Sequence, residues 1–290
     1  PMRQLLKITS IFALALVFSA GMAFGQDNTA NVTQGGTGDS EATVDQTGQG
    51  NDAFLRQLSF TGPGHFADLD QIGDNNNINV NRSQGNVRNE VFAYQEGNNN
   101  DIQVQVQQNA RTADVSQIGD ENEAIVEQRF SGSQTSATIS QTGDYNFADI
   151  KQKNASNQQA TITQTGEDGA VESEGNWVGL DQTGGAGATA TVTQNGLSNS
   201  ISAVENPSSG DLSRLSETSA TQRGTFNATQ FGNSNEIGLY QSSSSGIVTV
   251  DQSGGTNKAL IYQDGAGSSA DVLQDGGGNE LSVTQQPSQQ

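Results

Sequence analysis

The side chains of this chain that could do chemistry are mostly carboxylates and amides. It contains 32 Asp and Glu, 12 Lys and Arg, one histidine and no cysteine. Carboxylates that follow glycine, as in Gly73-Asp74, Gly119-Asp120 and Gly143-Asp144, are hard oxygen ligands that could hold calcium. The calcium-binding nonapeptide needs Gly-Gly-x-Gly-x-Asp in tight repetition, and that repetition is absent. The sequence therefore predicts no metal site and no cofactor.

The same residues do not form a catalytic set. The one histidine, His65, lies in the irregular segment 58–66 and has no nucleophile or general-base motif around it. The acidic residues between Glu167 and Glu174 are typical of a solvated loop. Without cysteine there is no disulfide framework or thiolate metal site, and dispersed basic residues do not suit nucleic acid. We predict that the protein is not an enzyme.

The amides recur at a fixed spacing. Near the carboxyl end, glutamine returns every 11 residues, and the spacing reappears upstream in pairs; Arg82, Val106 and Glu205 hold the frame where glutamine is missing. Each unit reads Asn-x-Ala-x-Φ-x-Gln, where Φ is aliphatic, as in Asn122–Gln128. The predicted structural amides are Gln46, Asn51, Gln57, Gln117, Asn122, Gln128, Gln141, Asn146, Gln152, Gln230, Asn235, Gln241, Gln252, Asn257, Gln263, Gln274, Asn279 and Gln285.

A period of two within each unit predicts a β-strand with Asn, Ala, Φ and Gln on one side. The residues between units centre on glycine and predict a tight turn. The predicted turn glycines are Gly48, Gly73, Gly119, Gly143, Gly232, Gly254 and Gly276. Two strand–turn units make one rung, so the chain predicts an all-β solenoid of about 22 strands in about 11 rungs, stacked roughly 4.8 Å apart.

A narrow interior accounts for the residue types. Two facing strands leave a space of about 10 Å, which Ala, Val, Ile and Leu can fill. Asn and Gln at the strand ends can then bond to the same residue one rung above and below, as in cross-β stacks. Simple turn formation is the alternative for asparagine, but glutamine has no strong turn preference.

The beginning of the chain predicts export. A basic start (Met2, Arg3, Lys7) precedes an apolar stretch over 8–18, and small residues then allow cleavage after Gly25. We therefore expect a secretory signal peptide over 1–25 and a repeat domain over 26–290, with irregular insertions near 58–66, 167–175 and 206–224. The processed chain keeps 10 basic and 32 acidic residues, a net charge of −22.

The repeated unit resembles that of the curlin family, the subunits of curli fibres on Gram-negative bacteria. The match lies in the Gln-x-Gly-x-x-Asn turns joined to Ala-x-Φ-x-Gln strands, as in 252–263, and it extends over nearly the whole processed chain. The resemblance implies a β-solenoid subunit, a nucleator, a periplasmic chaperone, an outer-membrane secretion pore, and a cell-surface fibre that supports adhesion and biofilm. The predicted number of rungs is about twice that of the familiar short members.

Two other functions fit parts of the pattern. An exported monomeric adhesin would need polar caps over its terminal repeats; we expect none, and hence end-to-end self-assembly of the first strand (30–34) on the last (281–285) of another copy. Thr161-Ile-Thr163 and Thr191-Val-Thr193 are similar to ice-binding solenoids. That function needs a flat threonine array, whereas we expect the outward positions to vary among charged and aromatic residues.

Overall fold

Strands and short turns alternate through the described part of the chain in this computed structural model. The residues described are 16–17, 27–36, 39–59, 64–83, 88–107, 111–129, 135–153, 157–166, 174–183, 187–203, 224–241, 246–264 and 267–285. Within them no helix is long and apolar enough to cross a membrane. The fold is all-β, a β-solenoid with two parallel sheets.

Successive strands alternate between the two sheets. The first sheet contains the odd-numbered strands: β1 (Leu16–Val17), β3 (Glu41–Thr47), β5 (Phe66–Ile72), β7 (Glu90–Glu96), β9 (Arg111–Ile118), β11 (Thr135–Thr142), β13 (Gln159–Thr165), β15 (Thr189–Asn195), β17 (Thr225–Phe231), β19 (Ile247–Ser253) and β21 (Ser269–Asp275). The second contains the even-numbered strands: β2 (Thr29–Gly36), β4 (Asp52–Ser59), β6 (Asn77–Ser83), β8 (Asp101–Gln107), β10 (Glu123–Arg129), β12 (Phe147–Lys153), β14 (Trp177–Thr183), β16 (Ser200–Ala203), β18 (Glu236–Gln241), β20 (Lys258–Gln263) and β22 (Glu280–Gln285).

Each strand buries alternate residues, because successive side chains of a strand point to opposite faces. In β10, Ala124, Val126 and Gln128 are buried, whereas the residues between them face outward. The buried aliphatic side chains of the two sheets form one continuous core. The predicted facing of Ala, Φ and Gln toward the interior therefore agrees with the burial pattern.

Neighbouring strands of each sheet pair in parallel with the repeat in register. Val126 lies beside Val104 on one side and Ile150 on the other. Equivalent residues on paired strands are commonly 22 to 24 residues apart, and the separation reaches 36 between Gln194 and Gln230. An insertion thus lengthens a connection without shifting the register, which matters because a shift of one residue would turn the core face outward.

The predicted count of about 11 rungs is not matched. Of the 22 strands described, 21 lie between Thr29 and Gln285, so they make ten facing pairs with one strand left over. Each sheet reaches 11 strands only when the two-residue strand Leu16–Val17 is included in the first. Most of the irregular segments, including 204–223, lie outside the described residues, so the count refers to the described strands alone.

The predicted insertions are narrower where the structure describes them. Leu58 still belongs to β4 and Phe66 opens β5, so strand structure enters the segment 58–66 from both sides. Only 174–175 of the second insertion and Gly224 of the third lie within the described residues. Leu16–Val17 pairs with Ala42 and Thr43; the rest of 1–25 lies outside the described residues, and its cleavage remains a prediction.

A substitution pair in β13 tests the facing of the strands. Replacing buried Ile162 by Asp should lower the free energy of unfolding by several kcal/mol, because a carboxyl enters a dry interior without a partner. Replacing outward Thr163 by Asp should cost about 1 kcal/mol or less. Urea unfolding of the two variants measures both values, and similar losses would contradict the facing.

Candidate functional site

A continuous ladder of glutamines runs along the inside of the first sheet. Each Nε2 donates to the Oε1 of the next glutamine, with nitrogen–oxygen distances of 2.6–3.0 Å. This first ladder contains Gln46, Gln71, Gln95, Gln117, Gln141, Gln164, Gln194, Gln230, Gln252 and Gln274. Nε2 also donates to the carbonyl that opens a strand of the second sheet, as from Gln117 to Asp101 at 3.2 Å. The ladder therefore joins rungs to one another and the two sheets to each other.

The second sheet has a second glutamine ladder, which is interrupted. Its hydrogen bonds between side-chain amides run from Gln34 to Gln57, from Gln128 through Gln152 to Gln182, and from Gln241 through Gln263 to Gln285, with nitrogen–oxygen distances of 2.8–3.1 Å. Between the first two parts the register places Arg82 beside Gln57 and Val106 beside Gln128. Neither side chain can both accept and donate a hydrogen bond as a glutamine amide does, so the ladder stops there.

An asparagine ladder follows the turn that leads from the first sheet to the second. The backbone N–H of each asparagine donates to Oδ1 of the asparagine one rung earlier, at 2.9 Å from Asn76 to Asn51 and from Asn146 to Asn122. In most rungs its Nδ2 also donates to the turn glycine one rung later, as from Asn51 to the carbonyl of Gly73 at 2.7 Å. The ladder contains Asn28, Asn51, Asn76, Asn100, Asn122, Asn146, Asn176, Asn199, Asn235, Asn257 and Asn279.

The turn glycines are required by close stacking as well as by backbone angle. Gly119 has φ of 117°, and a Cβ on it would lie 2.4 Å from the carbonyl oxygen of Gly143 in the next rung. At Gly254 the corresponding distance, to the oxygen of Gly276, is 2.0 Å. Gly276 itself keeps φ of 97° but has only an asparagine nitrogen, 4.0 Å away, near that position. All seven predicted turn glycines have positive φ.

Several ladder residues were missing from the predicted set. The predicted amides all lie on one of the three ladders, and the additional glutamines and asparagines fill the gaps between them. They sit beside insertions or variable units, where counting by 11 loses the frame. Most of these additional residues can be found from the turn glycines. The glutamine lies two residues before the glycine and the asparagine three residues after it, because the turn Gln-x-Gly-x-x-Asn keeps its length.

The glutamine ladders have a direction. Nε2 always donates toward the later rung, so one end of a ladder presents amide oxygens and the other presents amide N–H groups. Among the described residues, Oε1 of Gln46 has no donor, and Nε2 of Gln274 donates only to the carbonyl of Lys258. The two ends of the stack are therefore complementary to each other and not to themselves.

Two cations are buried, Arg82 at the interruption in the second ladder and Arg111 at the start of β9 in the first sheet. Arg82 and Arg111 are 0% and 2% exposed, and each has two guanidinium nitrogens without a hydrogen-bond partner in the described part of the chain. Burial lowers the pKa of Arg82 to about 9, partly opposed by Glu90, and lowers that of Arg111 to about 10. Burial and the nearby charge of Arg82 also lower the pKa of His65. Oε1 of Gln128 is left unpaired beside Val106.

Carboxylates stack on the outer surface from one rung to the next. Burial, followed by Asp45 and Asp68, raises the pKa of Asp70, and Asp45 is its direct strand neighbour. Burial, followed by Asp101 and Asp149, likewise raises the pKa of Glu123. The described residues contain no group of three or more carboxylate or histidine side chains placed to hold a metal ion.

Restoring the second ladder should stabilise the fold. In the double variant Arg82→Gln/Val106→Gln, two amides would link Gln57 to Gln128 and remove a buried guanidinium. We expect the free energy of unfolding to rise by about 3 kcal/mol, since three amide–amide hydrogen bonds are added and each contributes about 1 kcal/mol. Arg82→Met, which removes the charge without adding an amide, is the control and should gain less. A double variant that unfolds at a lower urea concentration than the unmodified chain would contradict this account.

Comparison with known proteins agrees with the geometry. The family model described as the Curlin associated repeat matches residues 25–58, 111–143, 135–166 and 247–276. No curated protein matches the chain. The matched segments contain the same glutamine, glycine and asparagine positions that build the ladders. The chain therefore contains Curlin associated repeats at these four positions, which supports its assignment to the curlin family.

Proposed function

We propose that this protein is the structural subunit of an extracellular, curli-type amyloid fibre that grows end to end and supports adhesion and biofilm matrix. The observation that carries the proposal is the match between the two ends of the solenoid in backbone pairing, amide direction and repeat register. The role is structural and not enzymatic. Export through an outer-membrane pore, a periplasmic chaperone and a nucleator subunit belong to the proposal on family resemblance alone.

Unpaired strand edges support growth at the end formed by β21 and β22; at the other end β2 pairs only with β4, whereas β3 also pairs with Leu16–Val17, which the expected cleavage after Gly25 would remove. In the described residues, β22 pairs only with β20 and β21 only with β19, so each has one free edge. A free edge presents a row of N–H and C=O groups that can template a further strand. A contact between unlike ends of identical subunits does not close on itself, so it produces a filament.

The outward residues at the two ends are compatible in charge. If the repeat register continues from one copy to the next, Asp271 of β21 falls in the column of Thr43, and Glu280 of β22 falls in that of Thr29. In the same way Asp45 falls in the column of Leu273. No carboxylate would then lie directly beside another across the junction, and the repulsion that remains comes from the overall charge.

A glycine at the open end tests end-to-end growth. Gly276→Ala adds a methyl group that has only the side-chain nitrogen of Asn279, 4.0 Å away, near it within its own subunit, but in a filament it would crowd the turn of the next copy that stacks on it, as a Cβ on Gly254 would meet the carbonyl oxygen of Gly276 at 2.0 Å. We expect normal folding and elongation slowed about tenfold or more, because overpacking of this kind costs 1–3 kcal/mol. Electron microscopy and thioflavin kinetics measure elongation, and fibre diffraction of the unmodified chain should give a spacing near 4.7–4.8 Å.

Gly187→Ala is the matched control for that experiment. Gly187 has φ of 76° and no atom within 4 Å of the added Cβ, so the substitution imposes similar backbone strain without a contact between rungs. It should unfold like the Gly276 variant and still elongate normally. An unmodified chain that remains monomeric, as an adhesin would, or fibres without the expected spacing, would refute the proposal.

Acid should accelerate assembly. The carboxyls of Asp70 and Glu123 have raised pKa values in the stack, so ionising them disfavours the stacked form. That penalty is fully present above the raised pKa and disappears as the pH falls toward the ordinary aspartate value of about 3.9. The lag time should shorten from pH 7 to pH 4, because protonation stabilises the stack within each subunit and also reduces the net charge of −20 that makes subunits repel, and salt at pH 7 should shorten it by screening that charge.

Asp70→Asn separates this effect from a general response to acid. The variant should assemble faster than the unmodified chain at pH 7 and depend less on pH, because one stacked carboxylate is already neutral. Slower growth of the unmodified chain at low pH would show that its charge does not oppose assembly.

A further inference from the structure

Four neighbouring strands of the first sheet, β11, β13, β15 and β17, present an outer surface without any charged side chain. We call this surface the neutral face. Twelve of its 16 outward residues are threonine or serine, and the remaining four are Gln159, Asn195, Asn227 and Phe231. The hydroxyl residues are Ser136, Thr138, Ser140, Thr142, Thr161, Thr163, Thr165, Thr189, Thr191, Thr193, Thr225 and Thr229.

The neutral face corrects an expectation from the sequence. The outward positions do not vary among charged and aromatic residues along these strands; Phe231, at the last rung, is the exception. Charge returns at both borders, where Asp114 pairs beside Thr138 and Asp251 beside Thr229. By contrast, a single strand of the opposite sheet, β12, presents three charged residues on its outer surface: Asp149, Lys151 and Lys153.

The hydroxyls form a regular two-dimensional array. One column runs through Thr138, Thr161 and Thr191, and the next through Ser140, Thr163, Thr193 and Thr229. Parallel in-register strands set a spacing of about 4.8 Å between rungs, and alternate residues along a strand are about 6.6 Å apart. The side chains in the array are short, so a flat, uniform surface can approach closely.

These strands have the amino-acid composition of segments that form dry contacts between sheets. Such contacts form from six- or seven-residue segments with high β-propensity, low charge, no proline and few glycines. The strands TSATISQT, QATITQT, TATVTQN and TFNATQF contain no charge, no proline and no glycine. We infer that the neutral face is the lateral contact through which two copies of this chain pack together, rung against rung, when filaments bundle.

Its lack of charge favours the neutral face over the other surfaces for contact between two copies of this chain. Two copies with a net charge of −20 repel each other, and most outward strands would bring carboxylates together. Burying ionised groups against each other is costly, whereas threonine methyl groups can pack and their hydroxyls can bond across the contact. Within the described residues, no other run of four neighbouring strands lacks charge on its outer surface.

The size of the neutral face indicates bundling of filaments and not pairing of free subunits. Four strands of seven residues cover about 19 Å by 23 Å, or roughly 440 Å². A stable complex usually buries about 800 Å² on each partner. A filament repeats the neutral face once per subunit. Many contacts that are weak individually then form together and can hold two filaments side by side. The inference therefore rests on the proposed fibre.

Charges placed on the neutral face test the inference. Thr138→Glu/Thr193→Glu puts two carboxylates on outward positions of β11 and β15, away from the open strand edges. The control, Asn79→Glu/Gln105→Glu, adds the same charge to outward positions of β6 and β8 in the opposite sheet. Full-length chains are assembled under identical conditions, and elongation rate, filament width by electron microscopy and the mass pelleted at low speed are measured.

The unmodified chain and the control should form bundles, whereas the neutral-face variant should elongate at the same rate and remain as single filaments. The mass pelleted at low speed should fall about tenfold or more, as expected when avidity is lost. Equal bundling of the neutral-face variant would overturn the inference, and it is the result expected if the array binds a different flat surface, such as a crystalline polysaccharide. Loss of bundling in the control as well would also overturn it. Failure of the unmodified chain to form filaments would overturn the proposed function and the inference with it.

Discussion

A buried primary amide needs another hydrogen-bonding group close by, and in this fold that group is the same amide one rung away. Leaving such a group unpaired in a dry interior costs about 1–3 kcal/mol, so each glutamine of the first ladder holds its neighbours in register. The length of this hydrogen bond matches the distance between rungs that parallel strand pairing sets, and that distance brings the turn glycines so close that no Cβ fits between them. The amide pairing therefore reinforces the strand register along the whole stack.

The interrupted ladder shows what happens when the partner is missing. Arg82 takes a glutamine position, and its guanidinium is buried with only backbone carbonyls of the first sheet as described acceptors. Val106 in the next rung then leaves Gln128 without a donor to its Oε1. The backbone register nevertheless continues through both positions, so the sheets tolerate a local defect that the side chains do not repair.

Much of this architecture could be predicted from the sequence, because period-two burial and an 11-residue frame have few structural solutions. For that reason the sequence predicts which residues face inward, namely Asn, Ala, Φ and Gln. The number of rungs was not, since irregular segments hide how many strand–turn units the chain length contains. The sequence also did not reveal that Glu121, like Asn75 and Asn99, adopts positive φ at the third turn position, because no glycine marks it. The neutral face is not visible along any single strand, because only the register brings Thr138, Thr161 and Thr191 into one column.

The modest separation between paired residues has a consequence for folding. Large parallel sheets normally form slowly because their strands are distant in sequence. Here each new strand closes a loop of only 22 to 36 residues onto the rung before it, and the entropy of closing such a loop does not grow with the number of rungs already present. Any rung can therefore act as the starting point, and order can spread from it in both directions along the chain, as in other repeat proteins. For a chain whose described strands all belong to two large parallel sheets, the search for the native pairing is thus a series of short local closures.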